Sequence, residues 1–183
     1  MNALTRYVAA LALIPLLMAG RPATAQSGRP LHDGAPVRPA ATPVIDLPEA
    51  GLVVTLPDHW KATREGSRVL LNPEDQSLAV VIAVSDKIGV DRLVAEIRSN
   101  QQMALSDVRT TAMHQTEVNG LPVRCESGTA RGSDGPAVWS LRVLEASQPV
   151  VLYTLGSPHA MRIHERDYQS LLASLRKSEP DRT

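Results

Sequence analysis

In residues 137–156, branched and aromatic side chains fill two segments on either side of a polar loop at 146–149. This composition predicts two β-strands joined as a hairpin. In the first strand, one face carries Trp139, Leu141 and Val143, and the other carries Ser140 and Arg142. The second strand is apolar on both faces, which predicts a position inside a sheet that is covered on both sides.

Five further segments have the composition or the period of strands, namely 51–56, 68–71, 78–84, 108–118 and 121–127. Residues 63–67, between the first two, are polar and are interpreted as a turn. In 108–118 a strict period of two places Val108 and Val118 on one face. Asn119 and Gly120 both tolerate positive φ, so we expect a tight hairpin turn there.

Two segments have the helical period. Residues 90–105 carry an apolar stripe opposite charged side chains, which predicts an amphipathic helix. A second helix is expected after Ser157, which is a good N-cap, with Pro158 in the first turn. The order of elements predicts an α+β fold, an antiparallel sheet of about six or seven strands covered by two main helices. A cystatin-like sheet around one helix is the alternative, and the separate C-terminal helix argues against it.

The N-terminal region has the pattern of an export signal. Residues 1–25 combine a short charged start, an apolar run at 8–18 and the A-x-A site Ala23-Thr24-Ala25. The apolar run is shorter than the roughly 20 residues that a membrane span needs. We therefore expect cleavage rather than an uncleaved anchor, no stable membrane insertion afterwards, and a periplasmic or secreted location. Residues 26–50 are interpreted as a Pro/Ala-rich linker, 51–178 as one domain and 179–183 as a disordered tail.

The charge distribution and the cysteine content bear on the class of partner and on the source of stability. The whole chain has 19 basic and 19 acidic residues, and removal of 1–25 takes away Arg6 and Arg21, leaving 17 and 19. The basic residues are scattered singly, so the sequence does not favour a nucleic-acid partner. The single Cys125 excludes an internal disulfide, and stability is expected to rest on the hydrophobic core.

Four short motifs resemble one known family. They are Leu56-Pro57-x-x-Trp60, Asn72-Pro73 before a buried strand, Val118-Asn119-Gly120-Leu121-Pro122, and Tyr168-x-x-Leu171-Leu172-x-Ser174-Leu175. Over residues 51–177 the chain is similar to the PsbP-like superfamily, which includes DcrB-like periplasmic proteins of bacteria. The resemblance implies an antiparallel sheet covered by helices. It also implies a binding or assembly accessory of a larger complex, such as the extrinsic subunit of photosystem II, without a shared catalytic motif.

The reactive side chains do not form a recognisable catalytic or metal-binding pattern. Cys125 alternates with apolar residues and is interpreted as a small buried hydrophobe rather than a nucleophile. His159 and His164 are five residues apart, about 140° around a helix, and do not share a face. His59 and His114 could join them only through the fold. We therefore expect no catalytic residue, no cofactor and no metal ligand.

These observations predict an exported, non-enzymatic accessory protein of the bacterial cell envelope that binds an unidentified protein partner. An exposed sheet edge or the loops around Trp60 are the expected contact regions, since aromatic residues are enriched at binding hot spots. Core anchors remain the simpler interpretation of Trp60 and Trp139. The alternative function is a small-ligand or metal-binding periplasmic protein. A hydrolase ranks last, because no motif supports it.

Overall fold

The computed structural model describes residues 43–178, so the predicted signal, most of the predicted linker and the tail at 179–183 lie outside it. The described chain contains ten strands, three α-helices and a short 3-10 helix at Pro48–Ala50. The strands are β1 (Val44–Leu47), β2 (Leu52–Thr55), β3 (Trp60–Glu65), β4 (Arg68–Pro73), β5 (Leu78–Val84), β6 (Ser106–Val118), β7 (Leu121–Gly132), β8 (Gly135–Leu144), β9 (Val150–Gly156) and β10 (Arg176–Lys177). The helices are α1 (Val90–Ala104), α2 (Pro158–Ile163) and α3 (Glu165–Ser174).

Seven strands form the main antiparallel sheet, in the order β3-β4-β5-β9-β8-β7-β6. The predicted hairpin at 137–156 is β8–β9, and β9 is the central strand. Every residue of β9 is buried. This confirms that the second strand of the hairpin is covered on both faces, as expected for a nearly continuous apolar strand inside a sheet.

Each face of the main sheet has its own hydrophobic core. Helix α1 covers one face, where Ile97 packs with Trp139 and Tyr153; we call this the α1 face. Helices α2 and α3 and a small sheet, β1-β2-β10, cover the other face, which we call the α3 face. Leu152 and Leu171 belong to the core of that face and have no exposed surface. The predicted α+β sandwich is confirmed, and helices on both faces exclude the cystatin-like alternative.

The domain begins earlier than predicted. Strand β1 lies within the segment 26–50 that was interpreted as a linker, and it pairs along its whole length with β2. Leu47 and Ala50 are buried in the core of the α3 face. Pro43 and Pro48 flank this strand, and the proline content of the segment led to its interpretation as a linker. Proline is nevertheless compatible with the ends of an edge strand. The predicted boundary at residue 51 is therefore wrong by seven residues.

Two strand predictions also need correction. Residues 63–67 are not a turn as a whole, because β3 extends to Glu65 and only Gly66 and Ser67 connect it to β4. The strict alternation expected in 108–118 is wrong as well. Register shifts in β6 interrupt its pairing with β7, so Val108 packs on the α1 face and Val118 on the α3 face.

Local signals at turns and caps are confirmed. Asn119 and Gly120 have φ values of 50° and 77° and close the β6–β7 hairpin. The Ser157 side chain accepts a hydrogen bond of 3.0 Å from the backbone N–H of Ala160, as an N-cap does. The C-terminal helix is divided at His164 into α2 and α3.

Candidate binding surfaces

Strand β6 is an exposed edge of the main sheet. It is the last strand in the order and pairs only with β7. All side chains from 109 to 117 are exposed, including Met113 at 70 %. From Ala112 to Val118 its register with β7 is regular, so the segment presents an uninterrupted row of backbone groups on its outer side. Such a row is a template for pairing with a strand from another chain.

The two edges of the main sheet differ in charge. Strand β3 forms the opposite edge and carries Lys61, Arg64 and Glu65 among its six residues. The Arg64 guanidinium also donates a 2.6 Å hydrogen bond to the backbone oxygen of Asp46 in the small sheet. Charged side chains on an edge oppose the docking of another strand. The regular part of β6 contains one formal charge, Glu117, and no proline or lysine.

The β6–β7 hairpin is attached to the body of the domain through its turn. The Asn119 side-chain amide donates hydrogen bonds to the backbone oxygens of Ala173 and Leu175, at 2.8 and 2.5 Å. These oxygens lie at the C-terminal end of α3, where helix carbonyls lack partners within the helix. The turn residue thus fixes the end of the exposed edge.

Two clefts flank the β6 end of the sheet. On the α1 face, a cleft of about 550 Å³ lies between α1 and strands β6, β7 and β8. The Arg98 guanidinium and the Glu126 carboxylate form an ion pair of 2.5 Å in its lining.

The cleft on the α3 face contains a network of hydroxyl groups and one guanidinium. The Tyr168 hydroxyl lies 2.9 Å from the Thr154 hydroxyl and 3.3 Å from that of Ser140, with all three residues buried. Arg142 donates from Nη1 to the hydroxyls of Ser140, at 2.8 Å, and of Tyr168. Its guanidinium carbon lies 5.2 Å from the centroid of the Tyr168 ring. The cleft has a volume of about 430 Å³.

His164 forms a second polar cluster, at the β4–β5 turn. Its Nε2 lies 3.1 Å from the Asp75 carboxylate and 3.1 Å from the Ser77 hydroxyl, which donates to Asp75 at 2.8 Å. Desolvation of the Asp75 carboxylate tends to raise its pKa. Hydrogen bonds from the backbone and hydroxyl of Ser77 and the contact with His164 outweigh this effect, so the pKa is lowered.

The His164 cluster does not have the geometry of a catalytic triad. In a triad the serine and the carboxylate contact different nitrogens of the imidazole ring. Here Ser77 and Asp75 share Nε2. The Trp60 and His164 rings also pack nearly at right angles, with centroids 6.1 Å apart and an angle of 85° between their planes. The arrangement fixes the α2–α3 junction to the β4–β5 turn.

The other residues considered in the sequence do not come together. Cys125 is 5 % exposed and packs in the core of the α3 face, which confirms its interpretation as a buried hydrophobe. Trp60 and Trp139 are each 5 % exposed, so both are core anchors and the Trp60 ring is not an exposed contact. Binding through the loops around Trp60 stays a prediction. Within residues 43–178, no three His, Cys, Asp or Glu side chains converge as a metal site would require.

The hydrogen-bond network around Arg142 was not predicted from the sequence. The available signal was the presence of Ser140, Arg142 and Thr154 on one face of the β8–β9 hairpin, among buried neighbours. From the sequence, Tyr168 was named as part of a motif of the C-terminal helix, although a buried tyrosine hydroxyl requires a polar partner. Polar residues of two strands and one helix meet only through the tertiary fold.

The architecture defines an α+β sandwich whose antiparallel sheet has helices on both faces and exposed strands, β3 and β6, at its two edges. Among solved structures, the chain is similar to PsbP (CyanoP) from Synechocystis sp. PCC 6803, with a TM-score of 0.57 and 10 % identity over 81 % of this chain and 99 % of that chain. The described domain thus has a PsbP-like fold, which confirms the resemblance predicted from the sequence. At this identity the similarity concerns the fold alone.

Two further similarities are weaker. LpqN of Mycobacterium tuberculosis, described as involved in cell envelope biogenesis, gives a TM-score of 0.46 at 11 % identity, over 80 % of this chain and 88 % of that chain. A protein of unknown function from Pseudomonas aeruginosa gives 0.42 at 13 % identity, over 68 % and 99 %. No protein-family profile and no curated protein matches the sequence. No helix among residues 43–178 is long and apolar enough to cross a bilayer.

Proposed function

We propose that the protein is an exported, non-enzymatic accessory of the bacterial cell envelope that binds a protein partner through the outer edge of β6. The observation that carries this proposal is the regular, nearly uncharged segment Ala112–Val118 at the end of the main sheet, whose side chains are exposed from 112 to 117. The mode of binding is β-augmentation, in which an extended segment of the partner adds a strand to the sheet.

The dimensions of the edge suit this mode. Seven residues of a strand span about 23 Å at roughly 3.3 Å per residue, enough to pair with a peptide of similar length. Backbone hydrogen bonds supply affinity in such complexes, and the exposed side chains on either side of the strand supply specificity. Met113 and Gln115 are exposed toward the α1 face and could contact alternate side chains of the partner.

Two other parts of the proposal, export and a non-enzymatic role, are supported by different observations. The pattern of residues 1–25 supports export, and its test is N-terminal sequencing of the mature protein, which should begin at Gln26. The non-enzymatic role is supported by the His164 cluster, the most triad-like group of side chains in residues 43–178. Asp75 and Ser77 both contact Nε2 of His164, which is not the geometry of a catalytic triad.

Site-specific photocrosslinking in the producing cells tests the binding proposal. A photoreactive amino acid replaces Gln115 on β6 in the full chain, and the matched control places it at Ala62 on the charged edge β3; both positions are exposed. We expect one discrete crosslinked product from position 115 and none from position 62.

A charge on the edge provides the second arm of this experiment. Thr116→Lys introduces a lysine into the regular part of β6, and Thr63→Lys introduces one into β3; both positions are exposed. The β6 variant should lose the crosslinked product, because lysine on an edge opposes strand addition. Equal products from both edges, or a product that survives Thr116→Lys but not Thr63→Lys, would contradict the proposal.

A further inference from the structure

We propose that the cleft at Arg142 is a binding site for a carboxylate, of a size that suits a small organic acid. The proposal goes beyond the β6 edge, because the cleft lies on the α3 face, between β7, β8 and helices α2 and α3. It stands on the geometry of one guanidinium and on the space beside it.

Arg142 is a cation with unused donors. It is partly buried on β8, and its hydrogen bonds to the hydroxyls of Ser140 and Tyr168 both come from Nη1. Within residues 43–178 no protein acceptor engages Nη2 or Nε, and no carboxylate forms an ion pair with this side chain. Partly desolvated charges are normally paired, since their removal from water is unfavourable. An arginine whose Nε and Nη2 donors are both unused is suited to bidentate binding of a carboxylate, because these donors lie along one edge of the planar guanidinium.

The position of the guanidinium is fixed before a ligand arrives. The Tyr168 hydroxyl contacts Thr154, which has no exposed surface, and Tyr168 itself is only 3 % exposed. The Thr154 contact holds the Tyr168 hydroxyl between the sheet and α3. The hydroxyls of Tyr168 and Ser140 then orient Nη1 of Arg142 through the hydrogen bonds described above. Because the arginine is already ordered, binding a ligand loses little additional side-chain entropy.

The cleft also indicates the class of acid. Its volume of about 430 Å³ falls within the range of small-molecule sites, and Val138 and Met161 are apolar residues of its lining. Arg162 and Glu165 lie in the same lining. Two guanidiniums against one carboxylate leave a single net positive charge. This balance favours a monocarboxylate with an apolar body over a phosphate dianion.

The probe for this site is benzoate, a monocarboxylate with a flat apolar ring. Titration of the mature chain with sodium benzoate at constant ionic strength is followed by NMR of ¹⁵N-labelled arginine side chains. We expect a saturable shift of the Arg142 Nε–H signal. Arg142→Gln should weaken benzoate binding by about 10-fold or more, the effect of losing a charge-assisted pair of hydrogen bonds.

The matched control is Arg124→Gln. Arg124 is an exposed arginine on β7 that lines the cleft of the opposite face, so its loss should leave benzoate binding unchanged. Arg142→Lys keeps the charge but lacks the planar fork, and should also weaken binding. This variant serves as the test if Arg142→Gln does not fold, as judged by its amide spectrum.

Three results would overturn the proposal. The first is the absence of a saturable shift at Arg142, and the second is equal binding in wild type and both Arg142 variants. The third is tighter binding of phosphate than of benzoate.

An end-blocked peptide with one glutamate distinguishes a small organic acid from a protein side chain as the source of the carboxylate. If it binds at Arg142 more tightly than benzoate, the site takes a protein side chain and the small-acid assignment is wrong.

Discussion

The hydrogen bonds of Asn119 provide the sharpest test of how the exposed hairpin is held. Asn119 has a φ of 50°, and two substitutions distinguish the contribution of its side-chain amide to stability from that of this backbone conformation. Asn119→Gly keeps positive φ accessible but removes both donors. Asn119→Asp also tolerates this conformation, yet it replaces the donors with a negative charge facing the carbonyl oxygens of Ala173 and Leu175.

The expected magnitudes follow from these contacts. Each hydrogen bond contributes a net of about 0.5–1.5 kcal/mol, so two partly exposed bonds contribute about 1–2 kcal/mol to the free energy of unfolding. Asn119→Gly should lose this amount. Asn119→Asp should lose about 0.3–1 kcal/mol more, because a negative charge at a helix C-terminus opposes the helix dipole.

Urea denaturation of the mature chain, followed by circular dichroism, measures both variants against wild type. The slope of the free energy with urea should be unchanged, with the midpoints in the order wild type, Asn119→Gly, Asn119→Asp. The reasoning would be refuted if Asn119→Asp were as stable as Asn119→Gly, since a donor role for the amide requires the carboxylate to be worse.

Three further predictions concern packing and charge. A Cβ at Gly128 would lie 1.9 Å from a backbone oxygen and 2.7 Å from the Trp139 ring, so Gly128→Ala should destabilise the domain by about 1–3 kcal/mol or more in urea. Gly132→Ala is the control, because its nearest contact would be an ordinary 3.6 Å, and an equal loss in both variants would contradict the packing described. Cys125 is buried, so a thiol reagent should modify it only after unfolding, and rapid reaction in native buffer would show otherwise. The lowered pKa of Asp75 means that its stabilising effect is present above the unfolded pKa and is lost as pH falls through the folded pKa; because the carboxylate is 48 % exposed, solvent screening should keep the loss below about 1 kcal/mol. Asp75→Asn should remove this pH dependence from the urea midpoint, and an unchanged acid limb would refute the assignment.

Local and periodic signals in the sequence were sufficient for most of the fold. The β8–β9 hairpin, α1, the Asn119–Gly120 turn and the Ser157 cap are each specified by residues close together in the chain. The pattern of apolar and polar residues was insufficient to predict a strand that has almost no buried side chains. In β3 only Trp60 and in β1 only Leu47 is buried, so neither strand shows a period of two.

The candidate sites were harder to predict than the fold. An exposed sheet edge was expected, but the sequence could not indicate which strand would be last, because sheet order depends on long-range pairing. The cluster around Arg142 joins residues that are 26 positions apart, and the pair of His164 with Asp75 joins residues 89 apart. Alternation assigned Arg142 to the correct face of β8. It could not show that Tyr168 would meet it there, because helix placement over a sheet depends on the whole core.

The central claim is that β6 receives a strand from a partner protein. Hydrogen–deuterium exchange of the chain, with and without the partner recovered through position 115, tests this claim most directly. The account predicts slower exchange of outward-facing backbone amides in Ala112–Val118 on binding, with the charged edge β3 unchanged. Protection confined to other surfaces, with exchange in β6 unaltered, would contradict it.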